Sequence, residues 1–188
     1  VASPLAQEVT GMSALVAGGV VGLIGLFNGG GRLGWASFSD FIGRPNTYII
    51  FFVSQILAFW LLPSMKEVLM FQVVLYFIAT CYGGGFSTLP AYIGDIFGTK
   101  QVSAIHGYVL TAWAMAGLVG SSLASFLRQS TGSYTAMTKV FMAIFAVAFV
   151  VSVAMKIFVN RELAKKHLGY KEVETDAMGV AAAEEEAA

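Results

Sequence analysis

The chain has 188 residues, of which 57% are hydrophobic and 12% are charged, and its formal net charge is zero. Soluble domains carry about 25% charged residues, so this composition excludes an ordinary soluble domain, which would aggregate through its apolar surface, and predicts an integral membrane protein. The neutral charge, the single cysteine and the two histidines give no indication of a nucleic-acid partner, a disulfide framework, a metal site or a bound cofactor.

Five apolar segments are each long enough to span a membrane as a helix, which requires about 20 mostly apolar residues. In chain order they cover residues 12–38, 45–62, 68–91, 102–126 and 134–159. Residues 1–11 are interpreted as the remnant of an external loop, and residues 160–188 as a partly disordered tail. The sequence therefore predicts an all-α membrane fold with about five transmembrane helices.

Positively charged residues are distributed unequally between the two ends of these segments. The side with the first and third loops and the C-terminus carries the larger group: Arg44, Lys100, Lys156, Arg161, Lys165, Lys166 and Lys171. The opposite side has Lys66, Arg128 and Lys139. The positive-inside rule then predicts a multi-pass protein of the cell membrane with a cytoplasmic C-terminus. Because five spans place Val1 outside, we expect the chain to be a fragment cut in an external loop.

Arg32 is a charged residue inside the first predicted helix. A cation at that depth costs at least about 2–3 kcal/mol, so it requires a carboxylate, a carbonyl or a water-filled cavity as partner. No Asp or Glu lies inside the five segments, which favours an anionic substrate bound by the planar guanidinium. Alternatively, Arg32 extends to the cytoplasmic headgroups or pairs with Asp40. Asn28, on the same helix face, would help hold a carboxylate or bond the neighbouring backbone.

The loop after this helix has the sequence SDFIGRPN, residues 39–46, with the pattern D-x-x-G-R. Gly43 permits a tight turn, and Asp40 can accept a hydrogen bond from a helix N-terminus. Arg44 can pair with Asp95 at the end of the third helix. Ion pairs of this kind can form in one conformation and break in another, as the gate of an alternating-access protein requires. The alternative is an interfacial ion pair that only fixes the loop.

Small residues occur inside the third and fourth predicted helices. The three glycines at 83–85 each weaken a helix by about 1 kcal/mol relative to alanine, so this part of the third helix lines a cavity or packs closely on another helix. The fourth helix has a stripe of small residues typical of close helix packing: Ala112, Ala116, Gly120 and Ala124. Trp113 beside the stripe would line a cavity or face lipid, and His106 would couple protons or form an interfacial hydrogen bond.

The D-x-x-G-R loop after a glycine-rich helix resembles the signature loop of the major facilitator superfamily, as repeated between helices eight and nine, with Ala36 where that pattern has glycine. Three stretches together resemble the oxalate/formate antiporter family of that superfamily: residues 28–44 (NGGGRLGWASFSDFIGR), 81–100 (CYGGGFSTLPAYIGDIFGTK) and 106–117 (HGYVLTAWAMAG). The resemblance covers residues 12–168, so it implies that the five helices are helices eight to twelve and that helices one to seven are missing.

The resemblance implies two six-helix halves with the substrate at the interface between them. Arg32 then corresponds to the family's substrate-binding arginine in helix eight, and Tyr82 to an aromatic cavity residue in helix ten. The resemblance also leads us to expect a second cation, a lysine, in helix eleven. None is present between Gln101 and Leu127, and Trp113 stands at that position. This departure favours a monocarboxylate over a dicarboxylate, unless the missing half supplies a cation.

We therefore predict a secondary transporter that moves small carboxylates, such as oxalate, formate or another monocarboxylate, by alternating access, through antiport or proton symport. Its expected partners are the substrate, the lipid bilayer and the missing N-terminal helices of the same transporter. The alternatives are transport of a non-carboxylate solute by the same fold and a non-transporting scaffold built from half a transporter. An enzyme is not expected, because no nucleophile–base pair is visible at membrane depth.

Overall fold

The computed structural model describes the backbone of residues 2–187 and the side chains of residues 2–162. Every regular element of that backbone is helical. The α-helices are α1 (Ala2–Thr10), α2 (Ala14–Ile42), α3 (Arg44–Leu61), α4 (Val68–Phe97), α5 (Val102–Thr131) and α6 (Thr135–Ala187), with short 3-10 turns at Leu62–Ser64 and Thr99–Gln101. Within this part of the chain, five helices are long and apolar enough to cross a membrane. The predicted all-α fold with about five transmembrane helices is confirmed.

Two glycines at positive φ end the helices at one side of the structure. Gly43 (φ 85°) follows α2, and Gly98 (φ 81°) follows α4. Glycine adopts this backbone without the steric cost of a Cβ, so α2 and α4 continue to Ile42 and Phe97, beyond the predicted ends at 38 and 91. We call the membrane side at which α2 and α4 end, and α3 and α5 begin, the Gly43 side.

The chain forms two units, residues 1–152 and residues 153–188. The first contains α1 to α5 and the start of α6, and all residues discussed below as a candidate site belong to it. The second contains the remainder of α6. The side chains of the predicted tail lie outside the described residues from 163 onward, and its partial disorder stays a prediction.

The helices α2 and α4 run side by side at very short distance. A Cβ added at Gly83 would lie 2.9 Å from the carbonyl carbon of Asn28, and one at Gly84 would lie 2.6 Å from the Cβ of Trp35. On the other helix, a Cβ at Gly31 would lie 2.5 Å from the Cα of Thr80. Real Cβ atoms do not tolerate such distances, so glycine is what permits this contact. The sequence left two interpretations of the glycines at 83–85, a cavity lining and close packing on another helix. At Gly83 and Gly84 the structure shows close packing.

At the side opposite Gly43, the helix α1 occupies the stretch interpreted as an external loop remnant. Its residues Leu5, Ala6 and Val9 are buried. They belong to a cluster with residues at the ends of the spanning helices: Leu62, Phe71, Ala124 and Met137. The interpretation missed this helix because nine residues offer little more than two turns of periodicity, and the burial that stabilises α1 comes from distant residues.

Candidate functional site

Four side chains on four helices lie at one depth in the first unit. They are Arg32 on α2, Gln55 on α3, Phe86 on α4 and Trp113 on α5. Each is about eleven residues, or about 17 Å at 1.5 Å per residue, from the end of its helix at the Gly43 side. Half of the hydrocarbon thickness of a bilayer is about 15 Å. We therefore call this depth the midplane level.

Arg32 forms no ion pair with any of the side chains that the structure describes. Its guanidinium carbon Cζ lies 5.8 Å from the centroid of the Phe86 ring, within the range of a cation–π interaction. The pairing of Arg32 with Asp40, one of the alternatives from the sequence, is not present, because Asp40 accepts from Arg44 instead. Arg32 is thus a cation at the midplane level whose contact is an aromatic face and not a carboxylate.

Phe86 belongs to an aromatic cluster with Tyr82 and Trp113. Its ring stands edge-on to both, with centroid distances of 5.3 Å in each pair. The indole N–H of Trp113 donates a hydrogen bond of 2.8 Å to the Tyr82 hydroxyl. The structure thus connects three predicted site residues, Arg32, Tyr82 and Trp113, through one that the sequence interpretation missed. The available signal for Phe86 was its position four residues after Tyr82, on the same helix face.

A cavity of about 630 Å³ lies beside the aromatic cluster, and its lining includes Tyr82, Phe86 and Trp113. Most of the other lining side chains, from α2 to α6 within the first unit, are apolar. Gln55 is an exception: it is only 6% exposed, and its amide nitrogen has no hydrogen-bond partner within the described part of the chain. The sequence contains a signal for Gln55, a lone amide in the apolar segment 48–62, which our interpretation did not use.

Asn28 contributes to the structure through its backbone. Its carbonyl lies against Gly83, and none of the hydrogen bonds among the described side chains involves the Asn28 amide group. The role predicted for that amide in holding a carboxylate therefore stays a prediction. His106 is in α5, near the Gly43 side. Its buried Nδ1 atom has no hydrogen-bond partner among the described residues, so both of its predicted roles, proton coupling and an interfacial hydrogen bond, stay predictions.

At the Gly43 side, Arg44 forms ion pairs with two carboxylates. Its guanidinium donates a hydrogen bond of 2.8 Å to Asp40, and its Nη1 atom lies 3.1 Å from a carboxylate oxygen of Asp95. The predicted Arg44–Asp95 pair is therefore present, and it ties the start of α3 to the end of α4. Exposed ion pairs contribute about 0–1 kcal/mol each. The geometry fits both interpretations, a gate and a fixed interfacial pair, so the gating role of Asp40, Gly43, Arg44 and Asp95 stays a prediction.

Residues 2–162 contain no group of three or more His, Cys, Asp or Glu side chains placed to hold a metal ion. The midplane level and the adjoining aromatic cluster offer a guanidinium, an amide and three aromatic rings. These groups bind and orient a solute by charge, hydrogen bonds and ring contacts. The arrangement is therefore a candidate binding site in a multi-pass helical membrane protein.

Comparison with known proteins defines the family. The model of the Major Facilitator Superfamily matches residues 1–182, so the chain belongs to this superfamily of membrane transporters. The oxalate:formate antiporter of Oxalobacter formigenes is 30% identical over 118 residues, which cover 62% of this chain and 28% of that protein. These matches confirm the resemblance found in the sequence. The chain thus aligns with less than a third of that relative's length. No solved structure matches significantly.

Proposed function

We propose that this chain forms part of a secondary transporter that moves a small carboxylate across the cell membrane. The observation that carries the proposal is Arg32, a guanidinium at the midplane level with no ion-pair partner among the described side chains. A carboxylate binds a guanidinium through two parallel hydrogen bonds, and such charge-assisted bonds are about twice as strong as neutral ones. A substrate anion would therefore supply the partner that the first unit lacks.

The similar relative supports the carboxylate class, since its name describes exchange of oxalate for formate. Transporters of this fold hold the substrate near the bilayer midplane between two halves, and the midplane level of this chain has the matching depth. We propose that helices outside this chain supply the other half and cover the exposed faces of α2 and α5. Transport then proceeds by alternating access, as antiport or proton symport.

In the same proposal, the Gly43 side and the C-terminus are cytoplasmic, and Arg44 belongs to a cytoplasmic gate. The two carboxylates that Arg44 binds are on different helices, α2 and α4. A change of the distance between α3 and α4 at this side would break the pair with Asp95 and leave the pair with Asp40. This asymmetry gives the gate two distinct states, which a conformational switch requires.

The test is counterflow in proteoliposomes containing the full-length transporter, with labelled formate, acetate, phenylacetate and oxalate. We expect at least one carboxylate to exchange, Arg32→Gln to abolish the exchange, and Arg32→Lys to retain part of it, because lysine keeps the charge but not the planar fork. Arg161→Gln, at an exposed arginine near the end of the last span, is the matched control and should exchange normally. Absence of exchange for every carboxylate would contradict the proposal.

A further inference from the structure

We infer that the preferred substrate is a monocarboxylate with an apolar body, aromatic or branched aliphatic, and not a dicarboxylate or formate. This inference rests on the proposed function, because it takes Arg32 as the carboxylate site. It adds what lies next to that site: the aromatic cluster, the cavity behind it and the buried amide of Gln55.

The positions of the described positive charges disfavour a dicarboxylate. The other arginine and lysine side chains described lie near span ends or in connections: Arg44, Lys66, Lys100, Arg128, Lys139, Lys156 and Arg161. The group that contacts Arg32 at the midplane level is the Phe86 ring. An aromatic face carries partial negative charge. A second carboxylate on the substrate would therefore approach a ring that repels it, with no second cation at this level among the described side chains.

The aromatic cluster instead favours a substrate with an apolar body. Phe86 contacts the Arg32 guanidinium and also lines the cavity. Tyr82 and Trp113, 52% and 50% exposed, also line it. A carboxylate that binds Arg32 replaces the Phe86 ring as the partner of the cation. The carbon atoms attached to that carboxylate then lie against the aromatic cluster, which provides edges and faces for a ring or a branched chain.

The cavity has room for such a body. Its volume of about 630 Å³ is several times the roughly 150 Å³ that is sufficient for a benzene molecule. Gln55 lies in the cavity lining at the same level as Arg32, with its amide nitrogen buried and without a partner in the described chain. A buried donor without an acceptor is unfavourable. A hydroxyl or carbonyl oxygen on the substrate body would accept from it.

The test compares substrates in the full-length transporter in proteoliposomes. We expect kcat/KM for phenylacetate and 3-methylbutanoate to exceed that for formate and oxalate by about tenfold or more, the scale of one or two methylene groups in an apolar pocket. Phe86→Ala and Trp113→Ala should remove this preference, whereas Trp60→Ala, at an exposed α3 position outside the cavity lining, should keep it. Gln55→Leu should lower kcat/KM for 4-hydroxyphenylacetate more than for phenylacetate.

A second readout does not depend on transport. Cys81 lines the cavity and is the only cysteine of this chain. In a full-length protein without other cysteines, phenylacetate should slow the reaction of Cys81 with methyl methanethiosulfonate, and formate should not.

The outcomes separate the two proposals. Exchange of formate or oxalate without preference for the apolar carboxylates, or equal Cys81 reactivity with and without phenylacetate, would overturn this inference and leave the proposed function standing. Exchange of no carboxylate at all would overturn both.

Discussion

The helices α4 and α5 are alike in length and mean hydropathy but are buried to very different extents. Each has 30 residues, and their most apolar windows have mean hydropathies of 1.6 and 1.5. Yet 39% of that window is buried in α4 and 6% in α5. Both contain glycines inside the span, but Gly83 and Gly84 lie against α2, whereas a Cβ at Gly117 or Gly120 would meet nothing within 4 Å.

The comparison shows that small residues specify a close contact without specifying the partner. In α5 the predicted packing stripe is buried within the described chain only at Ala124, while Ala112 and Ala116 are exposed. An exposed face of small residues suits a close contact with another helix. We propose that in the complete transporter this helix comes from outside the chain, whereas the contact between α2 and α4 forms within the chain itself.

The largest expected effect comes from breaking the contact of α4 with α2. Gly83→Val places a side chain against the Asn28 backbone, which cannot move aside without displacing α2. We expect a loss of about 3 kcal/mol or more in the free energy of unfolding, measured by denaturation of the full-length protein in detergent. The matched variant Gly85→Val, in the same helix at a position where a Cβ would meet nothing within 4 Å, should be close to wild type in the same assay. Equal losses for the two variants would contradict the assignment of the loss at Gly83 to the contact between α4 and α2.

A smaller effect is expected from the ion pairs at the end of α4. Arg44→Ala removes the pairs with both Asp40 and Asp95. Because each exposed pair contributes about 0–1 kcal/mol, we expect a loss of up to about 2 kcal/mol in the free energy of unfolding. Lys100, before α5, forms no ion pair among the described residues, so Lys100→Ala is the control and should have no measurable effect. An equal loss of unfolding free energy in Lys100→Ala and Arg44→Ala would contradict a stabilising role for the ion pair between α3 and α4.

The smallest expected effect concerns the connection after α5. Glu8 accepts hydrogen bonds from the backbone N–H of Tyr134 at 2.9 Å, from the N–H and hydroxyl of Thr135 at 3.3 and 3.2 Å, and from the Ser133 hydroxyl. Burial raises the pKa of Glu8, but the hydrogen bonds together outweigh it, so the pKa lies below its ordinary value of 4.5. The ionised carboxylate therefore caps the start of α6.

Because the folded-state pKa of Glu8 is lowered, the stabilisation is present above pH 4.5 and is lost as pH falls through the folded-state value. Glu8→Gln should lower the melting temperature at pH 7, with a cost of no more than about 1 kcal/mol since Glu8 is mostly exposed and screened by water. The difference from wild type should shrink as pH falls below 4.5. Gln7→Glu, which adds a neighbouring carboxylate, controls for charge alone. A pH-independent difference would exclude the ionised cap.

Much of the fold was predictable because it depends on composition and on turn residues. The lengths of the apolar segments predict the five spans, and Gly43 predicts the turn that ends α2. Arg32 was identifiable because a cation inside an apolar segment is rare, and the Arg44–Asp95 pair because both residues stand at helix ends on the same side.

The side-chain contacts between helices could not be predicted, because they depend on which face of each helix packs against its neighbours. In helices that are apolar nearly all round, periodicity does not mark the buried face. The contact of Phe86 with Arg32 and the position of Gln55 at the cavity were therefore not readable, although both residue types were visible. Gly83 in α4 contacts another helix and Gly117 in α5 does not. The sequence could not predict this difference, because it depends on the position of a partner helix and not on the glycine itself.

The most direct test of the central claim, that Arg32 is the anion site, is a solid-state NMR distance measurement on the full-length protein in lipid. The substrate carries ¹³C in its carboxylate, and the arginine side chains carry ¹⁵N. We expect a carbon–nitrogen distance of about 4 Å or less, as hydrogen bonds of about 2.7–2.9 Å between guanidinium nitrogen and carboxylate oxygen require, and loss of this coupling in Arg32→Gln. A bound substrate whose coupling persists in Arg32→Gln would contradict the account.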